Sequence, residues 1–287
     1  MFIATTSNSQ QSAGADRDAY ASPPKSAARP PRQRKTVIMI QASAMKRRTA
    51  RIAGLLYLLL SLASLGGFLG LPLVQGNADV LANIIISDPL RFRIGIVCDV
   101  LTGVLALLLV LTLYKLLEEF NRSWAVLMVA FLATATPIGF AITFNDFAAE
   151  AVLTGRGALH ALSDPERAAL TDLFLAVHRD AIFALEIFWG LWLLPFGLLV
   201  LRSGYFPRVL GFLLLLAGAA YVAHSLISLL LPGLHVSWYE YATMVARAAG
   251  EFPILLYLLF RGVRPPAQAL PLQKSGPGTP RAANGLL

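Results

Sequence analysis

The chain is poor in charge and almost free of cysteine. Only 14% of its 287 residues are charged, against 56% hydrophobic, and the mean hydropathy is +0.65. A soluble domain carries about 25% charged residues, so this chain lacks the polar surface to enclose a water-soluble core of its size. That shortage excludes an ordinary soluble enzyme and a disordered protein alike. Cys98 is the sole cysteine, which rules out an intrachain disulfide and any CxxC or zinc-knuckle spacing. The chain also has no Walker loop, no GxGxxG, no GxSxG and no HExxH, so the common nucleotide, dinucleotide, serine-hydrolase and zinc-protease signatures are missing. No cofactor is expected, and a non-enzymatic role is favoured.

What the chain has in quantity is long apolar runs. Six of them fall at Ile52–Val74, Ile94–Leu117, Trp124–Phe147, Ala181–Leu201, Val209–Leu231 and Tyr241–Phe260. Each is long enough, at about 20 residues per crossing, to span a ~30 Å hydrocarbon layer as a helix. Backbone polar groups cannot face lipid unpaired, so helices are the form such runs must take. The expected fold is therefore all-α: a polytopic bundle of six transmembrane helices with short loops and one outer amphipathic helix. Ser163-Asp164-Pro165-Glu166 has capping-box spacing with an early proline, which predicts a helix start there, either on the membrane surface or running on into the fourth span. Asn77 to Ser87 is a weaker surface-helix signal. Gly66 and Gly70, with Gly67 beside them, form a small-residue stripe suited to close helix contact within the monomer.

The net charge of +8 is unevenly placed. Residues 1–51 hold ten basic side chains against Asp16 and Asp18, leaving 14 basic and 14 acidic in residues 52–287. A basic segment beside a membrane span is a topology signal or a contact with anionic lipid; without a recognition module it does not predict nucleic-acid binding. With both ends inside, the cytoplasmic side collects eighteen basic residues: those ten, Lys115, Arg122, Arg202, Arg208, Arg261, Arg264, Lys274 and Arg281. That bias predicts cytoplasmic N- and C-termini in a bacterial inner membrane. Residues 1–45 read as a disordered basic extension, 46–264 as the six-span domain and 265–287 as a flexible tail. Met45, directly before Lys46-Arg47-Arg48, is expected to be an initiator, which would leave residues 1–44 untranslated.

Ionisable residues inside spans are costly and usually face the bundle interior. Here Asp99, Glu186, His224, Arg247 and Glu251 lie in the outer half or near the middle of their spans, with Arg93, His178 and Arg179 at outer span mouths and Asn145 and Asp146 closing the third span. The inner halves are almost free of such groups. The pattern predicts an outward-facing polar pocket lined by Arg93, Asp99, His178, Arg179, Glu186, His224, Arg247 and Glu251. Arg247 and Glu251 are spaced i,i+4 and are expected to pair; Arg179 and Glu186, seven apart, share a face.

Several segments carry a family likeness: Arg48-Thr49-Ala50-Arg51-Ile52-Ala53-Gly54-Leu55-Leu56-Tyr57, Phe92-Arg93-Ile94-Gly95-Ile96-Val97-Cys98-Asp99, His178, Ser203-Gly204-Tyr205-Phe206-Pro207-Arg208-Val209-Leu210-Gly211, and Gly250-Glu251. Over residues 46–264 the chain resembles the bacterial domain of unknown function 4386 family of multi-pass membrane proteins. The resemblance implies a six-helix inner-membrane protein and no particular activity.

Four functions compete. The first is a binding or sensing protein for a small amphiphile or lipid. The second is a membrane-embedded metal-dependent hydrolase acting on lipid, with Asp99, His178, His224 and Glu251 as a zinc-type ligand set. The others are a transporter of a lipid-like substrate and a structural subunit in which every buried charge serves packing. The binding protein is preferred.

Overall fold

A computed structural model of the chain describes residues 31–70, 78–231 and 237–263. The expected flexible tail, 265–287, lies outside them. The chain divides into two compact units, Met1–Ile40 and Gln41–Leu287, and the second is described below. Its helices are α1 (Pro31–Gly70, from Gln41 on), α2 (Ala78–Ser87), α3 (Pro89–Leu117), α4 (Arg122–Leu153), α5 (Asp164–Ser203), α6 (Arg208–Leu230) and α7 (Ser237–Leu256). Residues 31–45, expected to be disordered, are helical. The physical reason is local: Pro31 suits the first helical position, and Arg, Lys, Gln, Ala and Met that follow are good helix formers.

Six helices are long and apolar enough to cross a membrane, all but α2. The chain is thus an all-α, multi-pass membrane protein. Local chemistry sets the helix ends. Asp88 accepts the backbone N–H of Arg91 at 3.1 Å ahead of Pro89, and Asn121 accepts that of Trp124 at 3.0 Å, satisfying donors that would otherwise be orphaned. Glu166 reaches back to the Ser163 backbone N–H and hydroxyl at 2.8 and 2.7 Å, as the capping-box spacing predicted. The helix so started does not lie apart on the surface; it runs unbroken into the fourth span as α5. The separate short helix is α2. α5 closes on Gly204, whose φ of +65° is one a side chain would resist. In α7, Pro253 sits inside the helix, and the span ends in a wide turn, Tyr257–Arg261, where the Gly262 N–H bonds to the Tyr257 carbonyl at 2.9 Å.

α5 is the central helix: 56% of its most apolar stretch is buried by protein, against 28–33% for the other five. α4 and α6 flank it, α3 packs on α4, and α7 packs on α6. α1 closes the bundle between α7 and α3. A Cβ on Gly54 would stand 2.4 Å from the Leu259 backbone nitrogen, and one on Gly70 2.5 Å from the Gly95 Cα, so both seams rely on glycine for their closeness. The Gly66, Gly67 and Gly70 stripe makes its contact within the monomer, against Gly95, Cys98 and Asp99. Between the helices lies a continuous apolar core that includes Leu109, Leu113, Met128, Leu193, Phe196 and Leu214.

The bundle has two ends. Lys46 marks one, where the α3–α4 and α5–α6 turns also lie; α2 marks the other.

Candidate functional site

The interior polar groups fall into separate clusters rather than one pocket. The first joins α1, α5, α6 and α7. Glu186 on α5 accepts Arg247 Nη1 of α7 at 2.8 Å on one oxygen and lies 2.5 Å from His224 Nδ1 of α6 on the other. Arg247 also donates to the Thr243 carbonyl at 3.2 Å, and its guanidinium lies 4.8 Å from the Tyr221 ring centre. His224 stacks on Tyr239 at 6.0 Å and meets the edge of Phe183 at 5.8 Å. One turn along α7, Glu251 accepts the Tyr57 hydroxyl of α1 at 2.6 Å, with Tyr221 as a second polar neighbour. Arg247 takes Glu186 as its salt-bridge partner in place of Glu251, whose carboxylate accepts the Tyr57 hydroxyl instead.

The second cluster joins α3, α4 and α5. Asp146 of α4 is fully buried, His178 of α5 is 6% exposed, and Asp99 of α3 lies close enough to interact electrostatically with both. His178 Nδ1 stands 2.8 Å from Asp146 Oδ1, so the two buried groups are ion-pair partners. Beyond that pair, Asp146 Oδ2 and the Tyr239 hydroxyl are the buried side-chain polar atoms without a hydrogen-bond partner among the described residues. Such atoms are rare in folded proteins and usually have a reason. Asp99 sits in the α1–α3 seam over Gly67, where a Cβ would fall 1.9 Å from its Oδ1.

An apolar plug separates this cluster from the α2 end. Ile96, Ala149 and Leu175 each lie one helical turn closer to that end than Asp99, Asp146 and His178, and they cluster with Phe92 and with Ile85 of α2. On the other side, Ala106, Ile142 and Leu185 of the main core lie about a turn or two deeper on the same three helices. The cluster is a polar layer with apolar packing on both sides.

The third cluster is at the α2 end. Glu150, 4% exposed, accepts Arg93 Nε and Nη2 at 3.0 and 2.8 Å and has Arg156 at 3.5 Å. Arg91 instead donates to the Leu69 carbonyl at 3.1 and 2.8 Å, satisfying the last turn of α1.

Of the eight predicted pocket residues, Glu186, His224, Arg247 and Glu251 come together. Asp99 and His178 belong to the second cluster and Arg93 to the third. Arg179 joins none: it is half exposed and lies 3.6 Å from Asp180, because the turns of α5 between it and Glu186 carry the helix deeper into the bundle. The proposed zinc ligands are likewise divided, with Asp99 and His178 in one cluster and His224 and Glu251 in another. Among the described residues, no three His, Cys, Asp or Glu side chains are grouped to hold a metal ion. Sequence reasoning missed Tyr57, Tyr239 and Glu150 and gave Asp146 no role.

The Lys46 end carries one polar cluster of its own. Lys46 donates to both Glu119 oxygens at 2.7 and 2.6 Å and to the Tyr205 hydroxyl at 2.7 Å, while Tyr205 donates to Glu119 at 2.5 Å. Burial alone would raise the Glu119 carboxyl, but the hydrogen bonds from Lys46 and Tyr205 outweigh it and hold it below the usual carboxylate range. Burial and the bond to Glu119 push the Tyr205 phenol up. Phe206 and Phe120 pack around Tyr205.

Six apolar helices with ionisable side chains on their inward faces define a polytopic α-helical membrane protein. A family model described as domain of unknown function (DUF4386) matches residues 52–262, and the chain belongs to that family. No curated protein and no solved structure matches it.

Proposed function

We propose that the protein binds a small amphiphile or lipid at its intramembrane polar layer and acts as a receptor or sensor rather than as an enzyme. The observation that carries this reading is the fully buried Asp146, which meets His178 through one carboxylate oxygen at 2.8 Å and has no hydrogen-bond partner for the other among the described residues. In a medium without water such an atom costs several kcal/mol, roughly the cost of moving a polar group from water into an apolar environment with no hydrogen bond to replace those lost. A resident ligand group would remove that cost. The first cluster supports the same reading differently, since its Glu186–Arg247–His224 pairing braces α5, which also carries His178, against α6 and α7.

The same proposal places the protein in a bacterial inner membrane with both termini in the cytoplasm, on the strength of the basic residues at the Lys46 end. Terminal reporter tags that are active only in the cytoplasm check the orientation; silence of those tags together with activity of a reporter that works only in the periplasm refutes it. For binding, the test is mass spectrometry of organic extracts from protein purified in a mild non-ionic detergent. A stoichiometric amphiphile that is depleted in Asp146→Asn is the expected result. Protein that carries no amphiphile above the empty-detergent level, and is not stabilised by adding membrane lipid extract, refutes the reading.

A further inference from the structure

The basic residues at the Lys46 end are unevenly employed. Lys46 is held by Glu119 and Tyr205. On the α3–α4 side, Lys115 and Arg122 flank Glu118 and Glu119 in sequence, so charge there is balanced. The α1–α7 side has no such balance. Arg47 and Arg51 of α1 and Arg261 at the end of the last span are all exposed, and none has a carboxylate partner among the described residues. Their own helices offer none nearby: residues 41–70 contain no acidic side chain, and Glu240 and Glu251, the two acids of residues 237–263, both lie well short of Arg261.

Packing brings these arginines onto adjoining backbones. Arg47, Arg51 and Gly54 are spaced i, i+4, i+7 and share a face of α1. Gly54 sits against the Leu259 backbone, and a Cβ on Gly262 would stand 3.4 Å from the Arg47 carbonyl oxygen. The first turns of the span in α1 and the last residues of the final span therefore meet at one spot. The seam itself is shut by these contacts, so whatever the arginines hold lies outside it, on the surface of the bundle. That surface changes character within about a turn. Leu55 and Leu62 of α1 and Phe260 beside Arg261 are 49%, 56% and 70% exposed. Three uncompensated guanidinium groups thus border lipid-type surface, at the level where a bilayer places its headgroups.

We infer that the outer surface of the α1–α7 seam is a docking site for an anionic phospholipid, with Arg47, Arg51 and Arg261 around its phosphate and its acyl chains along Leu55, Leu62 and Phe260. Charge complementarity selects the occupant. A guanidinium presents a fork of N–H donors that fits phosphate oxygens two at a time, and its aliphatic stem can lie on apolar surface while the head stays at the interface. A zwitterionic lipid carries its own cation beside the phosphate and gains less from three further positive charges. The site is separate from the intramembrane polar layer and does not depend on it.

Native mass spectrometry of the full-length protein in non-ionic detergent, with phosphatidylglycerol or phosphatidylcholine of the same acyl chains added, reads the affinity for each lipid. Phosphatidylglycerol is expected to bind about tenfold or more tightly. The double variant Arg51→Gln, Arg261→Gln is expected to weaken it about fivefold for each arginine removed, the share of one basic residue at an anionic surface. Phosphatidylcholine binding and the thermal midpoint of the lipid-free protein should stay as in wild type. Arg122→Gln removes the same charge from the α3–α4 side and is expected to change the affinity less than twofold. Arg261→Gln alone gives the same reading if the double variant fails to fold.

Equal binding of the two lipids overturns the proposal. So does a loss in Arg122→Gln that matches the loss from one seam arginine, because the preference would then belong to the whole basic end and not to this site. Displacement of phosphatidylglycerol by an equal concentration of glycerol 3-phosphate overturns the lipid as occupant. None of these outcomes bears on Asp146, so the amphiphile-binding reading is tested apart from this one.

Discussion

At the Lys46 end, the bundle is closed by aromatic packing of Tyr205, Phe206, Phe120 and Tyr257, with a single ion pair whose two side chains are 39% and 42% exposed. In the half toward α2, ion pairs and unpaired polar atoms lie between the helices, and Glu186 and Asp146 have almost no exposed surface. Both halves are cut from the same six helices, yet their polar groups follow opposite rules. Where water or the membrane interface can reach a charge, the chain uses it as a fastening at the edge. Where neither can, the chain still keeps charges, and a buried ion pair is weak evidence for stability because desolvation consumes much of its attraction. Charge retained under those conditions is better explained by a task than by packing.

The sharpest way to break this contrast is Glu186→Ala. It strands Arg247 and His224 together, and removing one partner of a buried pair costs about 3–5 kcal/mol. The loss is read from detergent-titrated unfolding; a value no larger than that of an exposed pair would erase the distinction between the halves. Gly54→Leu comes next. Its side chain would meet the Leu259 and Leu258 backbone at 2.4–2.7 Å, and overpacking of this kind costs about 1–3 kcal/mol. Because Gly54 lies away from the buried charged clusters, this substitution should destabilise the fold without altering the amphiphile binding proposed at the other end. Tyr57→Phe removes the hydroxyl from Glu251 and should cost about 0.5–1.5 kcal/mol, the net value of an ordinary hydrogen bond.

The smallest effect belongs to Lys46→Ala, under about 1 kcal/mol given the exposure of both partners. Its pH dependence has a definite sign. Glu119 titrates lower in the folded protein than in the unfolded chain, so its stabilisation is present above the ordinary carboxylate pKa and fades as pH falls through the lower folded value. The difference between wild type and Lys46→Ala should therefore shrink toward zero only in acid below the usual carboxylate range. A difference that vanished between neutral pH and pH 6 would refute the role given to Glu119.

Much of the architecture was legible beforehand because length and hydrophobicity are properties of single segments. The six spans, the capping box at Ser163 and the glycine stripe facing a neighbour within the monomer all needed only local chemistry. The site was legible in its ingredients and not in its pairings. The i,i+4 spacing of Arg247 and Glu251 permits a contact, but it carries no information about Glu186 on another helix, which is the partner Arg247 takes. Glu150 was lost for a different reason. The third span was expected to stop at Phe147, whereas α4 continues to Leu153, so a carboxylate that looked like part of a loop is in fact buried. Asp146 and Glu150 stand i,i+4 on that extended helix, and this spacing is the signal that could have revealed them. Tyr57 had no comparable signal, since a lone tyrosine in a span reads as packing until its partner across the bundle is known.

α5 has 40 residues, and at about 1.5 Å per residue it reaches roughly 60 Å, about twice the thickness of the hydrocarbon layer. It bears both His178 and Glu186, some 12 Å apart along its axis by the same rise, so a single stiff rod runs from beyond the bilayer surface through both charged layers. Any force that leans the protruding stretch, whether a docking protein or a change in membrane thickness, is thereby levered onto the two sites in concert.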